Sequence, residues 1–230
     1  MEIYKNQVIE GIFVKEIKNR FLCFVMIDDK EVKCYVPSSS RLENYINLKN
    51  KKVLLTINRG RNISTKYSVF AVKYYNKYII LNLHYANKLF EFKLSEGAYE
   101  EYSGSRPCKR EIKIDGYKAD LFYETTEKII IENKAIISTK RKTTFPIANS
   151  QRGIEQLKKL EVLLKKGYKV NYNLISLSPY VKTVKVDANK SEFYEHFLRC
   201  IRNGMQVFGY CLYISGQDMH IESKKITVII

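Results

Sequence analysis

The first part of the chain is a run of short apolar and β-branched stretches set too close together for helices. Gly11 to Ile17, Arg20 to Ile27, Glu31 to Val36, Val53 to Asn58, Tyr67 to Tyr74 and Tyr78 to Leu81 each read as a strand. Asn-Arg, Asp-Asp-Lys, Pro-Ser-Ser-Ser, Arg-Gly-Arg and Asn-Lys separate them, and these are turn residues. Strands this short and this numerous before Asn82 predict a small closed or half-closed barrel, with the OB-fold as the obvious pattern.

From His84 the period lengthens. Tyr85, Leu89 and Phe92 share one helical face, and Ser103-Gly104-Ser105-Arg106-Pro107 stops that segment. A domain boundary is expected near Leu83, giving an OB-like barrel over residues 1–82 and a second unit over 83–230. Strands are expected at Glu111 to Ile114, Tyr117 to Tyr123 and Lys128 to Ile137, joined as hairpins by Asp115-Gly116 and by Glu124 to Glu127. Asn149 or Ser150 can cap a helix to Lys166, with Ile154, Leu157, Leu160 and Leu164 as its apolar stripe and Gly167 as its stop. A strand at Lys169 to Ser176, a helix at Asn189 to Asn203 and strands at Gln206 to Ile214 and His220 to Ile230 complete an α/β unit around a mixed central sheet. The chain as a whole is expected to be α+β.

The net charge of +16 exceeds what solubility requires of a chain this size and suggests a polyanionic partner. Lys, Asn, Ile and Tyr all have AT-rich codons, so a coding bias is the competing explanation. It does not explain why no acid occurs between Glu43 and Glu91, where Lys49, Lys51, Lys52, Arg59, Arg61, Lys66, Lys73, Lys77 and Lys88 all fall. Tyr67, Phe70, Tyr74, Tyr75, Tyr78 and Tyr85 interleave with those cations, as in a groove that tracks a phosphate backbone and stacks bases, although such aromatics also serve as core. Arg59-Gly60-Arg61 reads as a basic hairpin tip or a plain turn.

Five scattered cysteines, Cys23, Cys34, Cys108, Cys200 and Cys211, signal neither a disulfide framework nor a zinc site and fit a reducing cytoplasm. No leader or membrane span is expected. His84, His196 and His220 lack ligand spacing, and neither a nucleophile elbow nor a Gly-rich nucleotide cradle occurs.

The chemistry concentrates in Lys118-Ala119-Asp120 and Ile131-Glu132-Asn133-Lys134. Alternate residues of a strand share a face, so Glu132 and Lys134 point one way, and a hairpin can bring Asp120 beside them. Asp120, Glu132 and the carbonyl of Asn133 suit Mg²⁺ or Mn²⁺, which keep several waters and take phosphate oxygens. Lys134 would orient a bound water or stabilise charge on a phosphate, and Gln156 on the next helix could hold that water or the lysine. A surface salt bridge is the plainer reading of the same spacing. Lys140, Arg141, Lys142 and Arg152 follow with no acid before Glu155, which places phosphate-binding charge next to these residues.

At these residues the chain resembles the PD-(D/E)XK nuclease superfamily and, within it, the sugar fermentation stimulation protein A (SfsA) family. Glu111, Lys118-Ala119-Asp120-Leu121, Glu132-Asn133-Lys134, Phe145-Pro146-Ile147-Ala148 and Arg152-Gly153-Ile154-Glu155-Gln156-Leu157 follow the order of that family's motifs. Upstream, Arg20-Phe21-Leu22, Pro37-Ser38-Ser39-Ser40 and Tyr85-Ala86-Asn87-Lys88 resemble its earlier signatures. The resemblance spans nearly the whole chain. It implies a Mg²⁺-dependent nuclease acting on DNA, with RNA as a further substrate, and an OB-like first half. Catalytic roles are implied for Asp120, Glu132, Lys134, Glu111 and Gln156. Nucleic-acid contacts are expected at Arg20, Arg41, Arg59, Arg61, Lys66, Asn87, Lys88, Lys140, Arg141, Lys142 and Arg152. Three positions depart from the pattern: Asn133 stands for an inward apolar residue, Ile147 for an aspartate and Gln156 for a histidine. A DNA-binding regulator on a nuclease-like scaffold is the alternative, and a basic protein bound to a ribosome or other assembly is a third class. A homodimer is left open.

Overall fold

The computed structural model describes residues 8–17, 21–36, 42, 46–58, 64–102, 108–124, 126–216 and 219–230. The first six strands are β1 (Val8–Glu16), β2 (Leu22–Ile27), β3 (Lys30–Tyr35), β4 (Lys52–Ile57), β5 (Tyr67–Tyr74) and β6 (Lys77–Ile80), within a residue or a few of the expected bounds. They pair in the order β3-β2-β1-β4-β5-β6, and a further parallel pairing of β3 with β5, Cys34 opposite Tyr67, curls the sheet into a half-barrel. Gly11 permits the tight packing of β1 on β2: a Cβ there would lie 2.8 Å from the Met26 carbonyl oxygen.

The chain then forms α1 (Tyr85–Ser95) and a single 3₁₀ turn at Glu100–Tyr102. Short strands β7 (Lys109–Arg110), β8 (Lys113–Ile114), β9 (Tyr117–Lys118) and β10 (Leu121–Glu124) lead into β11 (Lys128–Ile136). After β12 (Lys142–Phe145) come α2 (Gln151–Lys165), β13 (Lys169–Ser176), β14 (Thr183–Val186), α3 (Ser191–Arg202), β15 (Gln206–Ser215), β16 (His220–Lys225) and β17 (Thr227–Ile229). The central sheet has the order β16-β15-β13-β11-β10-β7 and is mixed: β11, β13 and β15 are parallel, while β10 and β16 flank them antiparallel. The architecture is a mixed α+β fold with several sheets and three helices among the described residues.

Two apolar cores flank that sheet. One runs from the half-barrel through α1 to Leu121, Ile131, Ile175 and Tyr210, and the other joins the opposite face, through Ile130, Leu174 and Tyr172, to α2 and α3. The central strand β11 is covered on both sides, which is why Ile129-Ile130-Ile131 reads as a continuous apolar run rather than an alternation. Ser150 caps α2 by accepting from the Gly153 amide at 3.0 Å, and Gly167 follows its end with φ of 87°.

Three expected strands come out differently. The strand foreseen at Glu111 to Ile114 shrinks to β8, because Glu111 turns the chain with φ of 50°. Tyr117 to Tyr123 is two strands: β9 pairs with β8 across the expected Asp115-Gly116 turn, β10 pairs with β11, and Ala119 and Asp120 lie in the bend between. His220 to Ile230 divides at Ile226, whose backbone crosses directly over Gly209 and donates to its carbonyl at 2.9 Å. β16 therefore stays with β15, while β17 joins β14 and the unforeseen β12 in a separate parallel sheet. Of the interleaved aromatics, Phe70 is fully buried and Tyr67, Tyr74, Tyr78 and Tyr85 pack against the first core, leaving Tyr75 (79% exposed) as the open ring. Among the described residues no helix is long and apolar enough to cross a membrane.

Candidate active site

Glu132 and Lys134 project from β11 onto the α2 face, as strand alternation requires. Glu132 is only 2% exposed, and a charge buried so deeply has to be matched group by group. The Tyr117 hydroxyl donates to Oε2, while Lys134 Nζ and, at 3.2 Å, Gln156 Nε2 donate to Oε1. Gln156 from α2 closes a ring, since its Oε1 accepts from Lys134 Nζ at 2.7 Å. Two of the three ammonium hydrogens are thus held, and Lys134 lines the adjoining cavity. The Tyr172 ring, 5.9 Å from the same nitrogen, backs it.

Asp120 reaches the group from the bend before β10. Register pairs Leu121 with Ile131, so a continued ladder would set Asp120 opposite Glu132. Instead the Asp120 Oδ2 accepts from the Asn133 amide at 2.9 Å, replacing a ladder bond with a side-chain one. The amide and carbonyl of one strand residue leave on the same edge, so the Asn133 carbonyl also faces this side. Burial first, and the nearby Glu132 second, push the Asp120 carboxyl up to about 6; the Asn133 N–H, Lys134 and the Asn87 side chain oppose that rise. Burial, reinforced by Glu132, also raises the Tyr117 phenol, which stays protonated as a donor.

A carboxylate at Asp120, another at Glu132 and the Asn133 carbonyl make an all-oxygen donor set, the chemistry of a hard divalent cation such as Mg²⁺ or Ca²⁺. Among the described residues no three His, Cys, Asp or Glu side chains converge, so such a cation would keep several waters. Asp120 borders two cavities here. One, about 390 Å³, is lined by Glu132, Lys134, Phe145, Arg152 and Gln156; the other, about 370 Å³, by Glu111, Tyr117, Lys118, Arg152 and Lys159.

Glu111 stands at the rim, 69% exposed and ion-paired with Lys118 at 2.6 Å, with its backbone amide donating to the Asp120 carbonyl. Arg152 lies one helical turn before Gln156 and lines both cavities. Lys140, Arg141 and Lys142 are exposed at the start of β12. Lys66 lies over the Tyr67 ring and Lys88 over that of Tyr85. Arg20, Arg41, Arg59 and Arg61, with the Pro37 to Ser40 motif, fall outside the described residues.

A family profile described as the sugar fermentation stimulation protein RE domain matches residues 84–218. The chain belongs to the SfsA family. Its similarity to family members extends beyond that match. The sugar fermentation stimulation protein homolog of Pelagibacter ubique is 27% identical over 98% of each chain, and that of Ruminiclostridium cellulolyticum is 29% identical over 96% of this chain and 97% of its own. The solved structure of Pyrococcus furiosus SfsA in complex with Ca²⁺ superposes with a TM-score of 0.86 at 20% identity, covering 100% of this chain and 99% of the other.

Asp120, Glu132, Asn133, Lys134 and Gln156 all fall inside the matched SfsA segment. Asn133, anticipated as an oddity at an apolar position, is buried with its side-chain oxygen matched: Oδ1 accepts from Asn173 Nδ2 at 2.9 Å, and the Tyr102 hydroxyl donates to Asn173 Oδ1 at 3.0 Å, while Asn133 Nδ2 has no partner among the described residues. Ile147 is 42% exposed. Sequence reasoning missed Tyr117, and it placed Asn87 with the nucleic-acid contacts rather than beside Asp120. Neither residue carries a spacing signal, because each reaches the site only once β8, β9 and α1 are packed.

Proposed function

We propose that this SfsA-family chain is a nuclease of the PD-(D/E)XK type that hydrolyses phosphodiester bonds of DNA, with RNA as a second substrate, using Mg²⁺ or Mn²⁺. The observation that carries the reading is the closed Glu132–Lys134–Gln156 ring beside the raised carboxyl of Asp120. Surface salt bridges have no need of such a buried and fully matched arrangement. Asp120, Glu132 and the Asn133 carbonyl would hold the cation, which when bound supplies Lewis-acid polarisation of the phosphate and a more acidic water. The complex of the Pyrococcus furiosus protein with Ca²⁺ supports an oxygen-rich cation site in a protein of this fold.

The chain's own groups do the rest. Lys134 directs its third N–H at the attacking water or at the phosphoryl oxygen on which charge accumulates. Water oxygen bonds to phosphorus, the bond to the leaving sugar oxygen breaks, and the water proton passes to solvent or to that leaving oxygen. Gln156 fixes the rotamer of Lys134, and Tyr117 fixes Glu132. Arg152, with Lys118 and Lys159, would hold the flanking phosphates. The half-barrel is read as an OB-like module whose Lys51, Lys66, Lys73 and Lys77 contact the backbone, and the free state of all five thiols fits a cytoplasmic setting.

The test is incubation of supercoiled, linear and single-stranded DNA with Mg²⁺ or Mn²⁺. EDTA-sensitive products are expected from the native chain, with loss of at least about 100-fold in Lys134→Ala at little change in DNA binding. Equal metal-dependent activity in that variant would exclude the mechanism. Binding without product under every condition would favour a DNA-binding regulator.

A further inference from the structure

Lys225, at the end of β16, pairs with Glu101 at 2.6 Å. Its neighbour Lys224 has no carboxylate partner among the described residues, and neither do Lys182 and Lys77. The fold nonetheless gathers these three cations. Lys224 stands opposite Cys211 in the β15–β16 ladder, with its ammonium 4.6 Å from the centre of the Tyr213 ring. Lys182 is fixed where β12, β14 and β17 begin: its amide donates to the Arg141 carbonyl at 2.8 Å, and its carbonyl accepts from the Thr227 amide at 3.0 Å. The Lys182 and Lys224 side chains come within hydrogen-bonding reach of one another. Lys77 opens β6. Burial raises the Cys211 thiol to about 11, and the charges of Lys224, Lys182 and Lys77 all act against that rise, so they converge on one point. Burial first, and Lys182 second, lower the Lys224 ammonium below its ordinary value. Two ammonium groups this close repel, and Glu222, on the same face of β16, pairs with neither. An anion set among the three would relieve the repulsion.

Tyr75 adds an observation independent of charge. Tyr74 and Lys77 close the β5–β6 hairpin, with Tyr75 and Asn76 at its tip. Tyr75 takes φ of 49°, a conformation that favours Gly in a two-residue turn and strains a bulky aromatic. No burial offsets that strain, since Tyr75 is 79% exposed. Its ring is braced edge-on by Tyr74 at 4.8 Å and by Tyr180 at 6.5 Å. Tyr180 in turn ties the hairpin to the segment carrying Lys182: its hydroxyl donates to the Tyr74 carbonyl, and nearby the Ile80 amide donates to the Leu177 carbonyl at 3.0 Å. An exposed ring held in place is a stacking platform for a flat group. Beside unpaired cations, it fits a ligand that joins a flat face to an anion, as each unit of a nucleic-acid strand does.

We propose that Lys77, Lys182 and Lys224 hold a phosphate of single-stranded nucleic acid while Tyr75 stacks on an adjoining base. The proposal rests on the nucleic-acid reading of the chain and adds a site shared between the β5–β6 hairpin and the β14–β16 face. A base inside a duplex has no free face, so the strand held here is unpaired. From Arg141, bonded to Lys182, β12 leads to Phe145 in the wall of the cleft, a rise of about 13 Å at about 3.3 Å per residue. Lys142 and Thr144 are exposed along the way, so a strand gripped at the lysines has a short basic path to Asp120 and Lys134.

The experiment measures binding in EDTA, where cleavage plays no part, by fluorescence anisotropy. Its probes are a labelled single-stranded oligothymidine and a strand of equal length made wholly of tetrahydrofuran abasic units, which keeps the phosphates and lacks the bases. Tyr75→Gly is expected to bind oligothymidine about fivefold or more weakly, the scale of one lost stack, and the base-free strand as the native chain does. Joint replacement Lys182→Gln and Lys224→Gln is expected to weaken both probes and to lower the slope of log affinity against log salt by about 0.7, one phosphate contact. Gly suits the φ at the hairpin tip and Gln removes a repulsion, so neither change opposes folding. Tyr75→Gly binding that is unchanged for both probes, or equally weakened for both, overturns the site, and so does an unchanged salt slope in the double variant. Each of those results leaves the nucleic-acid reading standing. A native chain that binds neither strand overturns that reading, and the site falls with it.

Discussion

Replacing Asp120 by Asn should make the protein more stable while removing its response to metal. The Asp120 carboxyl is pushed from an ordinary value of 3.8 up to about 6, mainly by burial and then by Glu132. A carboxyl raised on folding binds its proton more tightly in the folded than in the unfolded chain. The contribution of this one group to stability is therefore greatest at low pH, falls as pH rises from about 4 through about 6, and levels off above. Integrating the two titrations, the ionised carboxylate costs about 3 kcal/mol at pH 8 and about 1 kcal/mol at pH 4.5. Asn mimics the protonated form, and its side-chain oxygen can still accept from the Asn133 amide. Thermal melts of both proteins in EDTA, at pH 8 and pH 4.5, measure the difference. At roughly 2–4 °C per kcal/mol, the variant should gain about 6–12 °C at pH 8 and about a third of that at pH 4.5. Millimolar Mg²⁺ should raise the melting temperature of the native chain at pH 8 and leave Asp120→Asn nearly unmoved. A variant no more stable than native at pH 8, or one that gains equally at both pH values, would refute the electrostatic account of this site.

Tyr117→Phe removes the donor to Glu132 Oε2, and loss of a hydrogen bond to a buried carboxylate should cost about 1.5–3 kcal/mol by urea unfolding. The same variant should bind the cation about 10–100-fold more weakly by calorimetry; unchanged affinity would remove Tyr117 from the orientation of Glu132. Asn133→Val strands the Asn173 amide in the interior and should cost about 1–3 kcal/mol, whereas adding Asn173→Leu and Tyr102→Phe should recover part of it, because the apolar replacement removes those groups and leaves only Asn171 without its Tyr102 partner. A triple variant as unstable as the single one would show that the network contributes more than pairwise matching. Ser150→Ala should lower stability by about 1 kcal/mol through loss of the α2 cap, with no loss of metal affinity if α2 serves the site only through Gln156 and Arg152.

Strands β4 and β5 were legible as short continuous apolar runs, Val53 to Leu55 and Val69 to Val72, whereas β2 was legible because it buries alternate residues, Cys23, Val25 and Ile27, so a period of two survives in the sequence. Glu132 and Lys134 were legible for the same reason. Asp120 was found beside them by a partly mistaken route: it is delivered by a bend between two strands, and no hydropathy period encodes a bend. Strands β12 and β14 are four residues long and carry Lys and Thr among their few positions, so they have too little periodicity to be told from loops, while β17 was read as a continuation of β16. Tyr117 follows the Asp115-Gly116 turn and looks like any strand aromatic. Only the closure of β8 on β9 against the sheet carries its hydroxyl to Glu132. Asn133 looked like a defect because Asn173 and Tyr102 are remote in sequence and adjacent in space.

Strand β11 is the element through which these features act on one another. Its even-numbered residues, Ile130, Glu132, Lys134 and Ile136, face the α2 side, while Ile131, Asn133 and Ala135 face the α1 side. One strand therefore builds the cleft around Glu132 and Lys134 and a neighbouring cavity on the other face at once, and a slip of a single residue would exchange the two sets. Asp120 borders both sides because the β9–β10 bend lies at the edge where β10 stops pairing with β11. That position buries a second carboxylate near Glu132, whose own oxygens are already matched by Tyr117, Lys134 and Gln156. Asp120 has one backbone amide and the side chain of Asn87 for compensation, and its raised carboxyl registers the shortfall. A divalent cation held by the two carboxylates would relieve that repulsion, so metal binding and folding stability would be coupled at this point, and protons would be released on binding below neutral pH.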